Sequence, residues 1–259
     1  MNHNIYRLTG LRILNTRPLA RGKLLSQAIR AAGGIAIELP GLAIEATSDH
    51  WLHDLPDLHS VQQAIFTSTN AVNYFFATLT QKQLTWPTAI VVIAVGKATA
   101  AALADNNIRV DHLPSIADSE HLLTLDVLTR VSNQTIVLIK GIAGRALIAD
   151  TLGGRGANLY CVDVYRRIST TIPASYSNSL WQNDEVDIIL FSSQQAMHTV
   201  FNQFCTQGKD WLRGKPCFVL SKRLADEAKS LGIKTIFISE YDGLLNAFHQ
   251  YNQGLIYDN

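Results

Sequence analysis

Phe66-Thr67-Ser68-Thr69-Asn70-Ala71-Val72 returns 125 positions on as Phe191-Ser192-Ser193-Gln194-Gln195-Ala196-Met197, an aromatic, a hydroxyl pair and a small apolar ending in both places. The same offset carries Val95-Gly96-Lys97-Ala98-Thr99-Ala100 onto Leu220-Ser221-Lys222-Arg223-Leu224-Ala225, and Ile37-Glu38-Leu39-Pro40 onto Val162-Asp163-Val164-Tyr165. One register through three separated blocks marks a duplicated unit. Two equivalent lobes facing one another across a ligand-holding cleft are the expectation.

Working outward from these blocks, short apolar β-rich runs alternate with amphipathic helical segments. The runs are Arg12 to Asn15, Ala64 to Phe66, Ile90 to Val95, Ile136 to Ile139, Ile188 to Phe191, Phe218 to Leu220 and Thr235 to Ile238. After Phe191, residues Met197, Val200, Phe201 and Phe204 fall at helical spacing, with Ser192 to Gln194 as capping side chains before them. Gly33-Gly34, Gly153-Gly154 and Gly232 sit where helices should stop. The pattern predicts an α/β fold of two lobes, each a parallel sheet flanked by helices.

Each repeat begins with its own βα unit, Arg12 to Ala32 in one and Thr135 to Leu152 in the other. Ile35 to Glu45 and Leu159 to Ser169 alternate apolar with polar residues and suit extended connections between lobes. If the repeats exchange their first βα units, one lobe combines residues 1–40 with 168–259 and the other is 45–163, with linkers at 38–45 and 163–169. A plain cut near residue 133 is the alternative.

Composition narrows the function. At 259 residues and 47% apolar, the chain suits about two domains, each with a core. The longest apolar run, Ala89 to Val95, is too short to cross a bilayer, and Met1-Asn2-His3-Asn4 lacks the basic and apolar regions of a signal peptide. A cytoplasmic protein without membrane association is expected. Net charge of +1 gives no global field for nucleic acid. Cys161, Cys205 and Cys217 show no C-x-x-C spacing and read as buried fillers. His50, His53 and His59 lack a fourth ligand at metal spacing, so no metal is expected. No long exposed apolar stripe occurs, and a monomer is expected.

Ligands of open parallel sheets bind beyond the carboxyl ends of strands, where helix N-termini offer free N–H groups. Six turns fall there: Thr16-Arg17-Pro18, Thr67 to Asn70, Gly96 to Thr99, Lys140 to Arg145, Ser192 to Gln194 and Ser221 to Arg223. Their hydroxyls and cations suit a ligand with several carboxylates or phosphates, although Ser and Thr also cap helices with no ligand in view. The candidate binding residues are Arg17, Thr67, Ser68, Asn70, Gly96, Lys97, Thr99, Lys140, Arg145, Ser192, Ser193, Gln194, Ser221 and Lys222. Lys140-Gly141-Ile142-Ala143-Gly144-Arg145 lacks the full spacing and the terminal Lys-Ser/Thr of a P-loop, and no G-x-G-x-x-G follows a strand. Neither a nucleotide nor a dinucleotide cofactor is expected.

No nucleophile with an adjacent base and no suggestive carboxylate pair stands out. Tyr165, beside Arg166 and Arg167, is the candidate catalytic residue, because a phenol keeps its proton at neutral pH and can donate it to a leaving group. Packing is the other use of such an aromatic.

In order and spacing, Thr16-Arg17-Pro18, Phe66 to Val72, Val95 to Ala100, Lys140-Gly141-x-x-Gly144-Arg145, Val164-Tyr165-Arg166 and Phe191-Ser192-Ser193 resemble the uroporphyrinogen-III synthase family over essentially the whole chain. The resemblance implies flavodoxin-like and related lobes joined by a two-stranded linker. It implies cyclisation of hydroxymethylbilane, a linear tetrapyrrole with four acetates and four propionates, with loss of water and inversion of ring D, and without metal or organic cofactor. Under it Tyr165 assists departure of the hydroxyl, Ser68, Thr99 and Ser193 hold substrate carboxylates, and the preceding pathway enzyme is a possible source of handed-over substrate. Where the family's second repeat reads Gly-x-x-Thr-Ala, this chain has Ser221-Lys222-Arg223-Leu224-Ala225, which puts a ligand role there in question. A non-catalytic two-lobed binding protein for a polyanionic small molecule is the competing reading.

Overall fold

The computed structural model describes residues 6–144 and 146–256, apart from the side chains of Ala20 and Arg21. Along the chain run β1 (Arg12–Asn15), α1 (Leu19–Ala31), β2 (Ile35–Glu38), β3 (Leu42–Ala46), α2 (Trp51–Asp54), β4 (Gln63–Phe66), α3 (Thr69–Gln81), β5 (Val91–Ala94) and α4 (Lys97–Asp105). Next come α5 (Ser119–Leu122), α6 (Asp126–Thr129), β6 (Thr135–Gly141), α7 (Leu147–Gly154), β7 (Asn158–Ser169), α8 (Ala174–Gln182) and β8 (Ile188–Phe191). The chain continues with α9 (Gln194–Asn202), α10 (Thr206–Gly214), β9 (Cys217–Val219), α11 (Lys222–Ser230), β10 (Ile236–Ile238) and α12 (Leu244–Asn252).

These elements divide into two units, one combining the chain up to Ala43 with the part from Ile168 onward, the other Ile44–Arg167. The sheet of the first runs β10-β9-β8-β1-β2 with every neighbouring pair parallel. The other sheet runs β3-β7-β6-β4-β5 and is parallel from β7 to β5. The expected α/β class, with mostly parallel sheets flanked by helices, is what the chain adopts.

Successive strand residues point to opposite faces, and here both faces are covered, which is why the strands read as continuous apolar runs. In the first unit Ile13, Ile188 and Leu190 pack with Leu25 and Ile29 of α1 and Leu244 and Phe248 of α12. Their neighbours Leu14, Ile189 and Phe191 pack with Met197 and Val200 of α9, Leu212 of α10 and Leu224 of α11. In the second unit Phe66, Ala94 and Ile139 meet Val72, Phe75 and Leu103, whereas Ile65, Ile93 and Leu138 meet Leu122, Leu128, Ile148 and Leu152.

The 125-residue offset recurs in the strand pairing. Phe66 is paired with Ala94 as Phe191 is with Val219, and Leu14 with Ile37 as Ile139 is with Val162. A single bridge from Ile93 to His112 stands where the first unit pairs Phe218 with Phe237. The second unit thus keeps one bridge at the place of β10.

Two details depart from the sequence reading. Ile35–Glu38 and the first half of β7 are sheet strands and not plain connections. Both segments are more exposed than the central strands: Ile35 is exposed and Ala36 to Glu38 half-buried, and only Val162 is buried among residues 158–163. The crossing itself is made by β3 and the second half of β7, which run antiparallel: Thr47 N–H donates to the Val164 carbonyl at 3.1 Å, and Thr170 N–H to the Gly41 carbonyl at 3.3 Å. Of the three cysteines only Cys217 is a buried filler; Cys161 and Cys205 are exposed.

The first unit is built from two chain segments, and Arg12 and Asp187 tie them together. Arg12 N–H donates to Asp187 Oδ2 at 2.7 Å, its Nε reaches both carboxylate oxygens at 3.1 and 3.2 Å, and Asp187 N–H returns to the Arg12 carbonyl at 2.9 Å. Partial burial pushes the Asp187 carboxyl up, but the hydrogen bonds and charge of Arg12 outweigh it and hold the group below the usual carboxylate range.

Candidate active site

In the second unit the carboxyl ends of β7, β6, β4 and β5 present Tyr165, Lys140, Thr67–Asn70 and Gly96–Thr99 along one edge. Ser68 caps α3, its Oγ accepting Ala71 N–H at 3.1 Å. Thr67 donates its hydroxyl to the Ile139 carbonyl at 3.1 Å, and Asn70 is half-buried in the first turn of α3. Gly96 begins α4 with no side chain, and a Cβ there would lie 2.7 Å from the Ala117 Cβ. Lys97 is exposed, whereas Thr99 is buried.

Lys140 Nζ pairs with Asp163 Oδ1 at 2.7 Å. Immediately after it the register slips, so that Lys140 is opposite Asp163 but Gly141 is opposite Tyr165. This bulge puts one extra residue into β7 and re-aims the side chain that follows. The Tyr165 ring lies on Gly141, stacks with Tyr74 at 6.1 Å between centroids, and is 6% exposed. Its hydroxyl comes within 3.1 Å of Ser68 Oγ. Tyr74 is itself anchored, donating its hydroxyl to the Ile44 carbonyl at 3.0 Å.

The corresponding edge of the first unit presents Ser221 and Lys222 after β9, Ser192 to Gln194 after β8 and Thr16-Arg17 after β1. Ser193 and Ser221 cap α9 and α11, accepting Ala196 N–H at 3.2 Å and Leu224 N–H at 3.4 Å. Thr16 donates its hydroxyl to the Leu190 carbonyl at 2.7 Å. The Arg17 guanidinium lies 4.2 Å from the centre of the Tyr241 ring, a cation–π contact. Gln194 donates to Glu227 at 2.6 Å and accepts from Arg223 at 3.3 Å, while His198 meets the other Glu227 oxygen at 2.6 Å. Lys222 and Ser192 complete the edge, the first exposed and 3.6 Å from Asp226, the second half-buried. Gly41 allows the chain between β2 and β3 to seat on the first turn of α9, because a Cβ there would fall 2.6 Å from the Ala196 carbonyl oxygen.

All the candidate residues that are described therefore gather at one of two strand edges, and Arg145 lies outside the described residues. Thr67 spends its hydroxyl proton on the Ile139 carbonyl, whereas Ser193 and Ser221 use one oxygen lone pair in capping. Gly141, Tyr74, Asp163 and Tyr241 were not singled out from sequence. Asp163 had a signal, standing two residues before Tyr165 in an extended segment, and Gly141 stands in the Lys140-Gly141-x-x-Gly144-Arg145 turn, although nothing there points to the tyrosine; Tyr74 had no signal. No group of three or more His, Cys, Asp or Glu side chains suited to a metal occurs among the described residues, and His50 and His53 meet only as rings 6.2 Å apart. No described helix is long and apolar enough to cross a membrane.

Duplicated α/β units with donor-rich strand edges, one of them carrying a phenol set by a bulge, define a class of protein: a duplicated α/β scaffold with parallel sheets. The family model described as uroporphyrinogen-III synthase HemD matches residues 23–243. The chain belongs to the uroporphyrinogen-III synthase family, whose members are lyases. A uroporphyrinogen-III synthase of Escherichia coli strain K12 is 29% identical over 244 residues, 91% of this chain and 98% of the relative. One from Synechococcus elongatus is 28% identical over 259 residues, 94% and 96% of the two chains. Among solved structures, a mutant uroporphyrinogen III synthase of the extremely thermophilic bacterium Thermus thermophilus is similar with a TM-score of 0.60 at 16% identity, over 95% of this chain and 99% of that one. The enzyme of Helicobacter pylori 26695 gives 0.59 at 13% identity, over 96% and 100%. These likenesses carry the fold, and nothing in them favours a non-catalytic binding protein.

Proposed function

We propose that this chain closes hydroxymethylbilane to uroporphyrinogen III with Tyr165 as proton donor to the departing hydroxyl, and with hydroxyl and cationic donors at strand ends as contacts for the substrate's carboxylates. The reading rests above all on the Tyr165 phenol, which is locked by Gly141 and Tyr74 and sits at the edge that also carries Ser68 and Lys140. As the carbon–oxygen bond breaks, the phenol proton passes to the hydroxyl and water leaves. The resulting azafulvene cation is attacked through the substituted carbon of ring D, giving a spiro intermediate. Cleavage and reclosure invert that ring, and the proton lost when the pyrrole re-forms restores the phenol.

Closure without the protein gives the wrong ring order, so holding the chain in the productive fold is as much of the task as removing the hydroxyl. Charged groups suited to holding it include Lys97, Lys140, Lys222 and Arg17. Lys140 enters already paired with Asp163 and acts within that pair. The chain works as a cytoplasmic monomer, with motion of its lobes about 38–45 and 163–169, and takes substrate from the enzyme that makes it. Freshly prepared hydroxymethylbilane, given to the pure protein with no metal or nucleotide added, should yield the type III isomer. Type I alone, at the rate of spontaneous closure, would overturn the proposal.

A further inference from the structure

A serine hydroxyl has one proton and two lone pairs. At Ser68 one lone pair takes Ala71 N–H as the cap of α3, and the phenol oxygen of Tyr165 stands 3.1 Å from the same Oγ. Ser193 and Ser221 cap α9 and α11 in the same manner, yet no tyrosine hydroxyl meets either of them among the described residues. Position 40, the counterpart of Tyr165 in the other repeat, is a proline. The contact with the phenol is therefore an addition to the capping role, confined to one repeat, and helix capping does not account for it.

The direction of that hydrogen bond decides what the phenol can do. If Tyr165 donates to Ser68, its proton is occupied inside the protein and is not aimed at a leaving group. If Ser68 donates to Tyr165, the phenol proton is free, and its oxygen keeps a donor after the proton has gone. The Ala71 N–H at Ser68 Oγ favours the second arrangement, because an oxygen that accepts one hydrogen bond becomes a better donor of its own proton. Ala71 also lies in the first turn of a 13-residue helix, whose N-terminal end favours negative charge nearby.

We propose that Ser68 is a positioning residue for Tyr165: its hydroxyl donates to the phenol oxygen, turning the phenol proton outward and stabilising the phenolate that forms as water leaves. This rests on the reading of Tyr165 as the proton donor, and it replaces the expectation that Ser68 holds a substrate carboxylate.

The test compares Ser68→Gly, Ser68→Thr, Tyr165→Phe and the Ser68→Gly/Tyr165→Phe pair. Glycine keeps most of the N-cap preference while removing the hydroxyl, and threonine keeps both, so helix stability is not the variable. Ser68→Gly should lower kcat by about 10-fold or more with KM changed by less than about 3-fold, the pattern for a contact made mainly in the transition state. Ser68→Thr should restore turnover, and Ser68→Gly should have no further effect once Tyr165 is phenylalanine. A rise in KM with unchanged kcat, or independent effects of the two substitutions, would return Ser68 to the carboxylate sites. A readout apart from turnover keeps the two proposals separable: phenolate formation by Tyr165, followed as ultraviolet absorbance relative to Tyr165→Phe, should move to higher pH in Ser68→Gly. If it does not move, the donor role of Ser68 is wrong whatever the turnover shows. A fully active Tyr165→Phe with that movement intact removes the catalytic reading of Tyr165, and with it the catalytic effect assigned to Ser68, while leaving the hydrogen bond.

Discussion

Gly141 forms the floor of the Tyr165 ring: a Cβ at residue 141 would stand 2.5 Å from Cζ and 2.7 and 2.9 Å from the two Cε atoms. The contact follows from the register slip after Lys140, which sets Gly141 and not Lys140 opposite the tyrosine. With Tyr74 stacked on the same ring and Ser68 at its hydroxyl, the phenol is fixed by three residues from β6, α3 and the turn before α3.

Gly141→Ala should therefore displace the phenol without removing any functional group. Overpacking of this kind costs about 1 to 3 kcal/mol of stability. Turnover should fall more than the folded fraction does at assay temperature, with KM little changed. Thermal unfolding and steady-state rates on the same preparation check it, and unchanged kcat would mean that the ring position is not critical.

How far this was legible in the sequence depends on distance along the chain. Strands β1, β4, β5, β6, β8 and β9 could be read because their residues are buried on two faces, whereas β3 and β7 read as connections, and the 125-residue offset reveals the repeat by itself. Edge strand β2 was harder, since Ile35 is exposed and Ala36 to Glu38 half-buried, a pattern shared with loops. The bridge at His112 is too short to leave a pattern at all. Ser68 and Tyr165 each carry a local signal, but they lie 97 residues apart and meet only because β4, β6 and β7 pair in one register and β7 carries a bulge. Local periodicity contains no information of that kind.

The Arg12–Asp187 pair predicts an acid dependence of stability. Asp187 has a lowered folded-state pKa, so its contribution is complete above its unfolded value of about 3.9 and is lost as pH falls through the lower folded value. Asp187→Asn should be less stable than the parent by about 1 to 3 kcal/mol at neutral pH, as for hydrogen bonds to a charged group. The difference between the two should hold steady down to about pH 5 and shrink below about pH 4. Urea unfolding at a series of pH values measures it, and a difference that persists unchanged in strong acid would show that the carboxylate charge is not the source.

Thiol reactivity should sort the cysteines by place. Cys217 is buried in the strand β9, and burial pushes its thiol far up, so it should react with a disulfide reagent only on unfolding. Cys161 and Cys205 are exposed and should react in the native protein. Cys161 should be slow for an exposed thiol, because partial burial raises its pKa and the nearby Lys140 only partly offsets this. Counting released thiolate before and after denaturant should give two groups and then three.

Tyr165→Phe separates chemistry from packing. Phenylalanine keeps the ring on Gly141 and beside Tyr74, and Ser68 keeps its cap of α3, so fold and melting temperature should change little. What disappears is the proton donor, which is needed only as the carbon–oxygen bond breaks. Its loss should lower kcat by about 10²-fold, the usual size of a general-acid contribution, with KM nearly constant. As enzymatic closure slows, spontaneous closure competes, and the product should shift from type III toward type I. Isomer analysis by chromatography at several protein concentrations separates the two routes. Full activity with a normal isomer ratio would mean that the phenol serves only to pack β7 against Gly141 and Tyr74, and that loss of the hydroxyl is driven by the charges of the two edges or by the substrate's own groups.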